Sequence, residues 1–331
     1  MLDVAKRAGV TKQTVSNVVR GRQVVSAATR AKVEAAIAEL GYTPNMVARS
    51  LATGTTMTVG FIVPTIAHPF YSEVVEEVED VLEASDYHLL LATTHGNEER
   101  ARRQLSGLSS RSVDALLVAG DFDLGEHVAS LREQGIPIAL CAWEVDPPDY
   151  LPVVTIDYEK AGHLAGRHLR ELGHDRVAVI ADLPAHRIRV AGLRRALAAD
   201  GIDVPEDRVF PAPAASSESG YNAVERALPY LRSAGVSAIF ASTDAIALGV
   251  MQALRDHRLS VPHDMSVVGI DDIPQSAHAH PALTTVALPK RQMAREATNL
   301  LLRRIAEQQP GAPSLTLLHP EVVARASSGP A

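Results

Sequence analysis

The sequence predicts an α/β protein in which a small all-α head precedes a core of two doubly wound parallel-sheet subdomains. Three observations carry this expectation. The first is length: 331 residues exceed one ordinary core, so two or three domains are expected. The second is charge. Residues 1–52 hold eight basic and three acidic side chains, a net of +5, whereas the remainder holds 24 and 36, a net of −12. The overall value of −7 therefore hides a basic head on an acidic body, and a basic head is the electrostatic footprint of a polyanion-binding module. The third is periodicity. It is helical in the head and changes after residue 57 to an alternation of apolar strands and amphipathic helices.

Leu2 to Ala8 reads as a short helix with Val4, Ala5 and Ala8 as its apolar positions. Gly9 can take the positive φ of a sharp helix stop, and Thr11 can cap a second helix that runs to about Val19. Two helices joined by a tight glycine turn make a helix-turn-helix. Val15, Val18 and Val19 are expected to face inward, and Lys12, Gln13, Thr14, Ser16 and Asn17 outward. That outward set is rich in hydrogen-bonding groups and free of acids, as a helix in the major groove requires. Lys12 suits guanine, Gln13 and Asn17 suit adenine-type edges, and Thr14 and Ser16 suit phosphate oxygens. A third helix is expected from a Ser26 cap, with Val33, Ile37 and Leu40 as its apolar face and Gly41 as its end. Pro44 then interrupts, and Asn45 can cap the segment Met46–Ala52. That segment is too short to be a stable helix unaided. Thr53–Thr56 reads as a linker. The divisions are a head at 1–43, a hinge helix and linker at 44–57 and a core at 58–331.

In the core, "TVGFIVP", "HLLLATT", "VDALLVAG", "IPIALCAW", "VVTID", "RVAVIAD", "SAIFAST" and "SVVGID" read as strands, separated for the most part by amphipathic helices. Strands that are apolar throughout imply parallel sheets covered on both faces. Binding sites in such folds lie beyond the carboxyl ends of strands. The candidates are accordingly Phe70 and Tyr71 after the first strand, Trp143 after "IPIALCA", Arg187 and Arg189 after "RVAVIA", Thr243 and Asp244 after "SAIFAS", and Asp271 and Asp272 after "SVVGI". Aromatic rings with an arginine and an aspartate at one edge could hold a polar small molecule.

The head resembles that of the lactose/galactose repressor family. "LDVAKRAGVTKQTVSNVVRG" and "VSAATRAKVEAAIAELGYTPNMVARSLATG" follow the family pattern over roughly fifty residues in one register. The resemblance implies base-reading roles for Lys12, Gln13 and Asn17 and phosphate contacts for Thr14 and Ser16. Arg22 and Asn45 join the DNA-binding set, and Leu51 matches a leucine that wedges into the minor groove. It also implies a core similar to periplasmic binding proteins. Its N-subdomain would span about 58–155 and 290–317, and its C-subdomain about 156–289 and 318–331. Phe70, Tyr71, Trp143, Arg189, Thr243 and Asp271 fall on effector-contacting positions. There are departures. The residues that usually precede Asp3, among them a threonine that caps the first helix, are replaced by Met1 and Leu2, so a frayed first helix is expected. Ala142 stands where an acid or amide is common, and Ala215 where an aromatic is often found. The chain carries no leucine-heptad tail at its end, which makes a dimer the default.

The expected function is a cytoplasmic, ligand-responsive repressor. As a homodimer it would bind an inverted-repeat operator and be released by a sugar or sugar-like metabolite. The alternative is a corepressor-dependent regulator binding a nucleobase or other small metabolite. No cofactor, metal or membrane partner is expected. The N-terminus does not read as a signal peptide, no apolar run approaches the ~18 residues of a membrane span, and the single cysteine excludes an internal disulfide framework. An enzyme is disfavoured by the absence of G-x-S-x-G, Walker A, G-x-G-x-x-G and H-E-x-x-H motifs. His278 and His280 lack clustered partner ligands.

Overall fold

In the basic head, three short helices pack on one another. α1 (Leu2–Ala8), α2 (Lys12–Val19) and α3 (Ala27–Glu39) bury Val4, Ala5, Val15, Val18, Val33 and Ala36 in a common core. The computed structural model describes the chain except for residues 20–23, 43–49, 51–53, 110–112, 121–127, 129–130, 132, 134, 147, 184 and 308–312. It divides into two units, Met1–Met57 and Thr58–Ala331. Gly9 ends α1 in the left-handed conformation, φ 66°. Thr11 Oγ1 accepts the Thr14 N–H at 3.1 Å, and Ser26 Oγ accepts the Thr29 N–H at 3.3 Å, which caps α2 and α3. The side-chain cap expected to be missing at α1 is indeed missing. The first turn of this helix closes through Ala5 N–H to the Met1 carbonyl at 3.0 Å.

Two expectations for the head need correction. Ser16 is buried, 9% exposed, rather than outward. It flanks Val19 on the helical wheel, so the broad apolar face of α2 takes it in. Leu40 is 45% exposed because it lies at the end of α3, where the chain turns at Gly41; Ala36 supplies the buried contact instead. Arg7 on α1 pairs with Glu39 on α3 at 2.7 Å.

The core begins with β1 (Thr58–Val63), α4 (Pro69–Glu83), β2 (His88–Thr93), α5 (Glu98–Ser109), β3 (Ala115–Ala119), β4 (Ile138–Cys141) and β5 (Pro152–Ile156). It continues through α6 (Tyr158–Glu171), β6 (Val177–Ala181), α7 (Arg187–Ala198), β7 (Val209–Pro211), α8 (Ser217–Ser233), β8 (Ala238–Ala241), α9 (Asp244–Asp256) and β9 (Ser266–Asp271). It closes with α10 (Pro274–His278), β10 (Thr284–Ala287), α11 (Lys290–Glu307), β11 (Ser314–Leu318) and β12 (Glu321–Val323). One sheet runs β11-β5-β4-β3-β1-β2 and the other β12-β10-β9-β8-β6-β7. All neighbours are parallel except β10 and β12. Strands β3, β5, β6, β8 and β9 are buried along their whole length, as sheets covered on both faces require.

Strand order reverses at β1 in one sheet and at β6 in the other, which opens a crevice at the carboxyl ends there. The chain passes between the sheets after β5, after β10 and after β11. Helix α11 packs on α4, β3, β4 and β5 of the first sheet's lobe. Helices α6 and α7 approach closely because they meet at glycines. A Cβ on Gly162 would lie 1.7 Å from the Arg189 carbonyl oxygen, and one on Gly192 would lie 1.9 Å from that of Glu159. This contact fixes the first turn of α7, and with it Arg189. Among the described residues, no helix is long and apolar enough to cross a membrane.

Candidate functional site

The candidate DNA-reading residues sit on one short helix. Lys12 and Gln13 of α2 are exposed, and Thr14 and Asn17 are partly so. Gln13 Nε2 donates to Asn17 Oδ1 at 3.3 Å, and the hydroxyls of Thr11 and Thr14 lie 2.9 Å apart. These polar groups mostly pair with one another and can exchange those bonds for base edges. Arg22, Asn45 and Leu51 lie outside the described residues, as does Met46–Ala52 apart from Ser50.

A second cluster forms where the carboxyl ends of the two sheets face each other. Arg189, in the first turn of α7, is 3% exposed. Its Nε donates to Glu144 Oε2 at 3.0 Å and its Nη2 donates to Glu144 Oε1. Its Nη1 donates to the Ser242 carbonyl at 2.8 Å and reaches Asp271 Oδ1 at 3.4 Å. The guanidinium also lies over the Tyr158 ring, 4.9 Å from its centroid. Burial alone would lower the Arg189 pKa. The Glu144 and Asp271 carboxylates outweigh it, so the group is held firmly cationic.

Asp271 closes β9 and is 1% exposed. Its φ is 127°, that of Asp272 is 55° and that of Ala142, just past β4, is 49°. Such conformations cost about 1–3 kcal/mol each in non-glycine residues and persist where their surroundings hold them. Here Lys290 supplies part of that hold. Its Nζ donates to the carbonyls of Asp271 at 2.9 Å and Asp272 at 2.8 Å and lies 2.9 Å from Glu73 Oε1. Arg325 pairs with Asp272 at 2.6 Å. Burial raises the Asp271 pKa to about 6, with Arg189 and Lys290 pulling against it. Beneath it, Asp244 accepts from the Ile273 N–H at 3.0 Å, from Ser276 at 2.6 Å and from Thr285, and burial raises its pKa to about 7.

His68 caps α4, with its Nδ1 accepting the Phe70 N–H at 3.3 Å. A nitrogen used as an acceptor carries no proton, so the neutral ring bears its hydrogen on Nε2. Burial, then Arg189 and Lys290, lower the His68 pKa to about 4, which keeps the ring neutral at physiological pH. Nε2 lies 3.8 Å from Asp271 Oδ2, too far for a hydrogen bond. Neither atom has a hydrogen-bond partner among the described residues. The indole Nε1 of Trp143 is also buried without one. The backbone of Trp143 is pinned by Thr155, whose hydroxyl accepts the Trp143 N–H at 2.9 Å and donates to its carbonyl at 2.8 Å.

The residues singled out in the sequence thus separate. Arg189 and Asp271 are brought together, and the residue after Trp143 binds the same guanidinium. Tyr71 is partly buried and meets Phe70 edge-on, with centroids 5.0 Å apart. Phe70 and Trp143 themselves belong to apolar core clusters, and Arg187 is exposed. Thr243 is buried, and its hydroxyl caps α9 by accepting the Ile246 N–H at 3.3 Å. Sequence reasoning missed His68, Glu144, Tyr158, Ser242 and Lys290. The signal for His68 and Glu144 was their position just past β1 and β4, beside residues that were singled out. Among the described residues, no group of three or more His, Cys, Asp or Glu is arranged to hold a metal ion.

Comparison with known proteins covers both units. Residues 1–45 match the model of bacterial regulatory proteins of the lacI family, and residues 166–328 match a periplasmic binding protein-like domain. Catabolite control protein A of Priestia megaterium is 34% identical over 305 residues, 91% of each chain. A solved complex of the transcriptional regulator CelR with cellobiose is 32% identical, with TM-score 0.74 and 98% of each chain covered. The lac repressor dimer bound to operator is 28% identical, with TM-score 0.87, covering 99% of this chain and 98% of that one.

Proposed function

Because the chain belongs to the lacI family and is a ligand-responsive, DNA-binding transcriptional repressor, we propose that its effector is an uncharged carbohydrate bound between the two lobes of the core. The observation that carries this reading is the gap between His68 and Asp271. His68 Nε2 offers a hydrogen, Asp271 Oδ2 offers a lone pair, and the two stand 3.8 Å apart with no partner. One oxygen can lie about 2.8 Å from both, and to satisfy both it must accept from one and donate to the other. A hydroxyl group does this with a single atom. A nucleobase carbonyl only accepts, and a ring N–H only donates. The Trp143 N–H, also buried without a partner among the described residues, would take a further hydroxyl oxygen of the same ligand.

The protein acts, on this reading, in the cytoplasm as a homodimer. Lys12, Gln13 and Asn17 of each α2 read base edges of one operator half-site, while Thr14 lies against phosphate and the buried Ser16 does not reach it. The sequence assigns Arg22, Asn45 and Leu51 to the same interface. One eight-residue helix offers few base contacts, so affinity requires two heads and an inverted-repeat operator. We assign the head to 1–43, the hinge and linker to 44–57, and the core to 58–331. The core's lobes take about 58–155 with 290–317, and about 156–289 with 318–331. The effector releases the operator by changing how the lobes sit, and linkage requires operator and effector to alter each other's affinity by one factor.

Titrating the full chain with neutral mono- and disaccharides and with nucleobases, in the presence and absence of a selected operator, tests the reading. A sugar that binds and loosens the operator, with its affinity weakened in His68→Ala, is the expected result. Binding of a nucleobase alone, or of a sugar with no effect on operator affinity, overturns it.

A further inference from the structure

We propose that Glu144 is a specificity-determining residue that occupies Arg189 from within and restricts the effector site to uncharged ligands. The proposal deepens the carbohydrate reading above and rests on it only for the location of the site.

A buried arginine at a binding crevice is ordinarily the group that recruits a carboxylate or phosphate, because its planar fork matches either anion. In this protein that fork is already filled. A guanidinium has five N–H donors. Both N–H groups of Nη1 are directed at Ser242 and Asp271, and Nε and one N–H of Nη2 go to Glu144 as a bidentate pair. Glu144 approaches from the loop after β4 in one lobe, and Arg189 from α7 in the other. The two side chains are nearly inaccessible, so water screens the pair poorly.

The second cation of the site is equally committed. Lys290 spends its ammonium on two carbonyls and on Glu73. Around the crevice the carboxylates of Glu144, Asp271 and Glu73 thus face the cations of Arg189 and Lys290, and no full bidentate fork remains for an incoming anion. An anionic ligand would have to displace Glu144 and leave that carboxylate buried without its partner. A hydroxyl-bearing neutral ligand needs no such exchange, because it uses the free positions on His68, Asp271 and Trp143. Removing the charge of Glu144 while keeping its shape should therefore turn the site from one that rejects anions into one that takes them.

The experiment uses inorganic sulfate as the probe, so that it does not depend on knowing the effector. Sulfate binding to the full-length protein is measured by calorimetry at constant ionic strength for the wild type, for Glu144→Gln and for Glu144→Gln combined with Arg189→Gln. We expect at least a tenfold gain in sulfate affinity in E144Q and loss of that gain in the double variant. Equal affinities in wild type and E144Q, or a gain that survives loss of Arg189, overturn the proposal. If E144Q does not fold, the wild type still decides. A panel pairing neutral sugars with their phosphorylated or carboxylated counterparts must show preference for the neutral member, and equal or tighter binding of the anionic member overturns the proposal. A sulfate gain in E144Q without any neutral sugar bound by the wild type would leave the role of Glu144 standing and remove the carbohydrate reading instead.

Discussion

The two candidate recognition surfaces solve opposite problems. On α2 the reading groups Lys12 and Gln13 are exposed, and Gln13 bonds Asn17 about one turn along the same helix. In the core, Arg189 and Asp271 are almost fully buried, and the hydrogen-bonding partners of Arg189 come from distant parts of the chain: Glu144, Ser242 and Asp271. A duplex is large and presents its own edges, so a protein need only offer side chains to it. A small molecule must be enclosed, so the protein has to bury polar groups and satisfy nearly all of them in advance. Among the buried atoms left unsatisfied, those on His68 and Asp271, which face each other beside Arg189, are then the most informative. In the head, the informative positions are those that are solvated.

This contrast can be broken by substitution. Arg189→Ala is expected to have the largest effect, because it strands the Glu144 and Asp271 carboxylates. Losing one partner of a buried pair costs about 3–5 kcal/mol. Urea denaturation of the core should show that loss together with loss of the effector response, and a change below about 1 kcal/mol would mean that the cluster is solvated like the head. Gln13→Ala or Asn17→Ala should cost about 1–3 kcal/mol of base discrimination at defined operator positions without moving the core's transition. Selection from random DNA reads this directly, and a uniform weakening on all sequences would contradict it.

Two smaller effects sharpen the comparison. Burial raises Asp271 to about 6, and its ionised form is the one that accepts the bridging hydroxyl's hydrogen. Effector affinity should therefore hold above pH 6 and fall below it, by at most about tenfold per pH unit. His68, held to about 4, contributes little to that decline. Calorimetry between pH 7.5 and 5 measures the slope, and affinity that rises on acidification would reverse the assigned roles. The smallest expected change is Thr11→Ala, which removes the cap of α2 and should cost the head about 1 kcal/mol. Thermal melting resolves this if the core transition stays fixed.

The head was largely legible in the sequence because its determinants are local. Gly9 stops a helix, Thr11 and Ser26 cap the next two, and side chains on a single helix take their direction from spacing alone. The exceptions, Ser16 and Leu40, lie at the margin of a stripe and at a helix end, where spacing ceases to decide. The strand-helix alternation of the core was legible for the same reason at β1 to β6, β8 and β9. It failed for β7 and β12, which are three residues long, for β10, which has four residues and opens on two threonines, and for β11, whose exposed edge lacks a continuous apolar run. The site was half legible. The carboxyl-end rule led to Arg189 and Asp271, but it could not distinguish a ligand-facing group from one consumed by structure, such as Thr243 capping α9 or Phe70 filling the core. Nor could it show that the carboxylate absent at Ala142 is supplied two residues later by Glu144, since that pairing depends on the contact between lobes.

Trp143 gives the protein a built-in optical reporter. It is the only tryptophan in 331 residues, so excitation at the red edge of the indole band lights a single ring. That ring is 7% exposed and packs in the apolar core of the first sheet's lobe, one residue before the glutamate that binds Arg189, and its N–H has no partner among the described residues. A ligand hydroxyl arriving at that N–H would change the polarity around the excited indole and shift its emission. Occupancy of the crevice could then be followed in real time on the unmodified chain, with DNA present and without a dye.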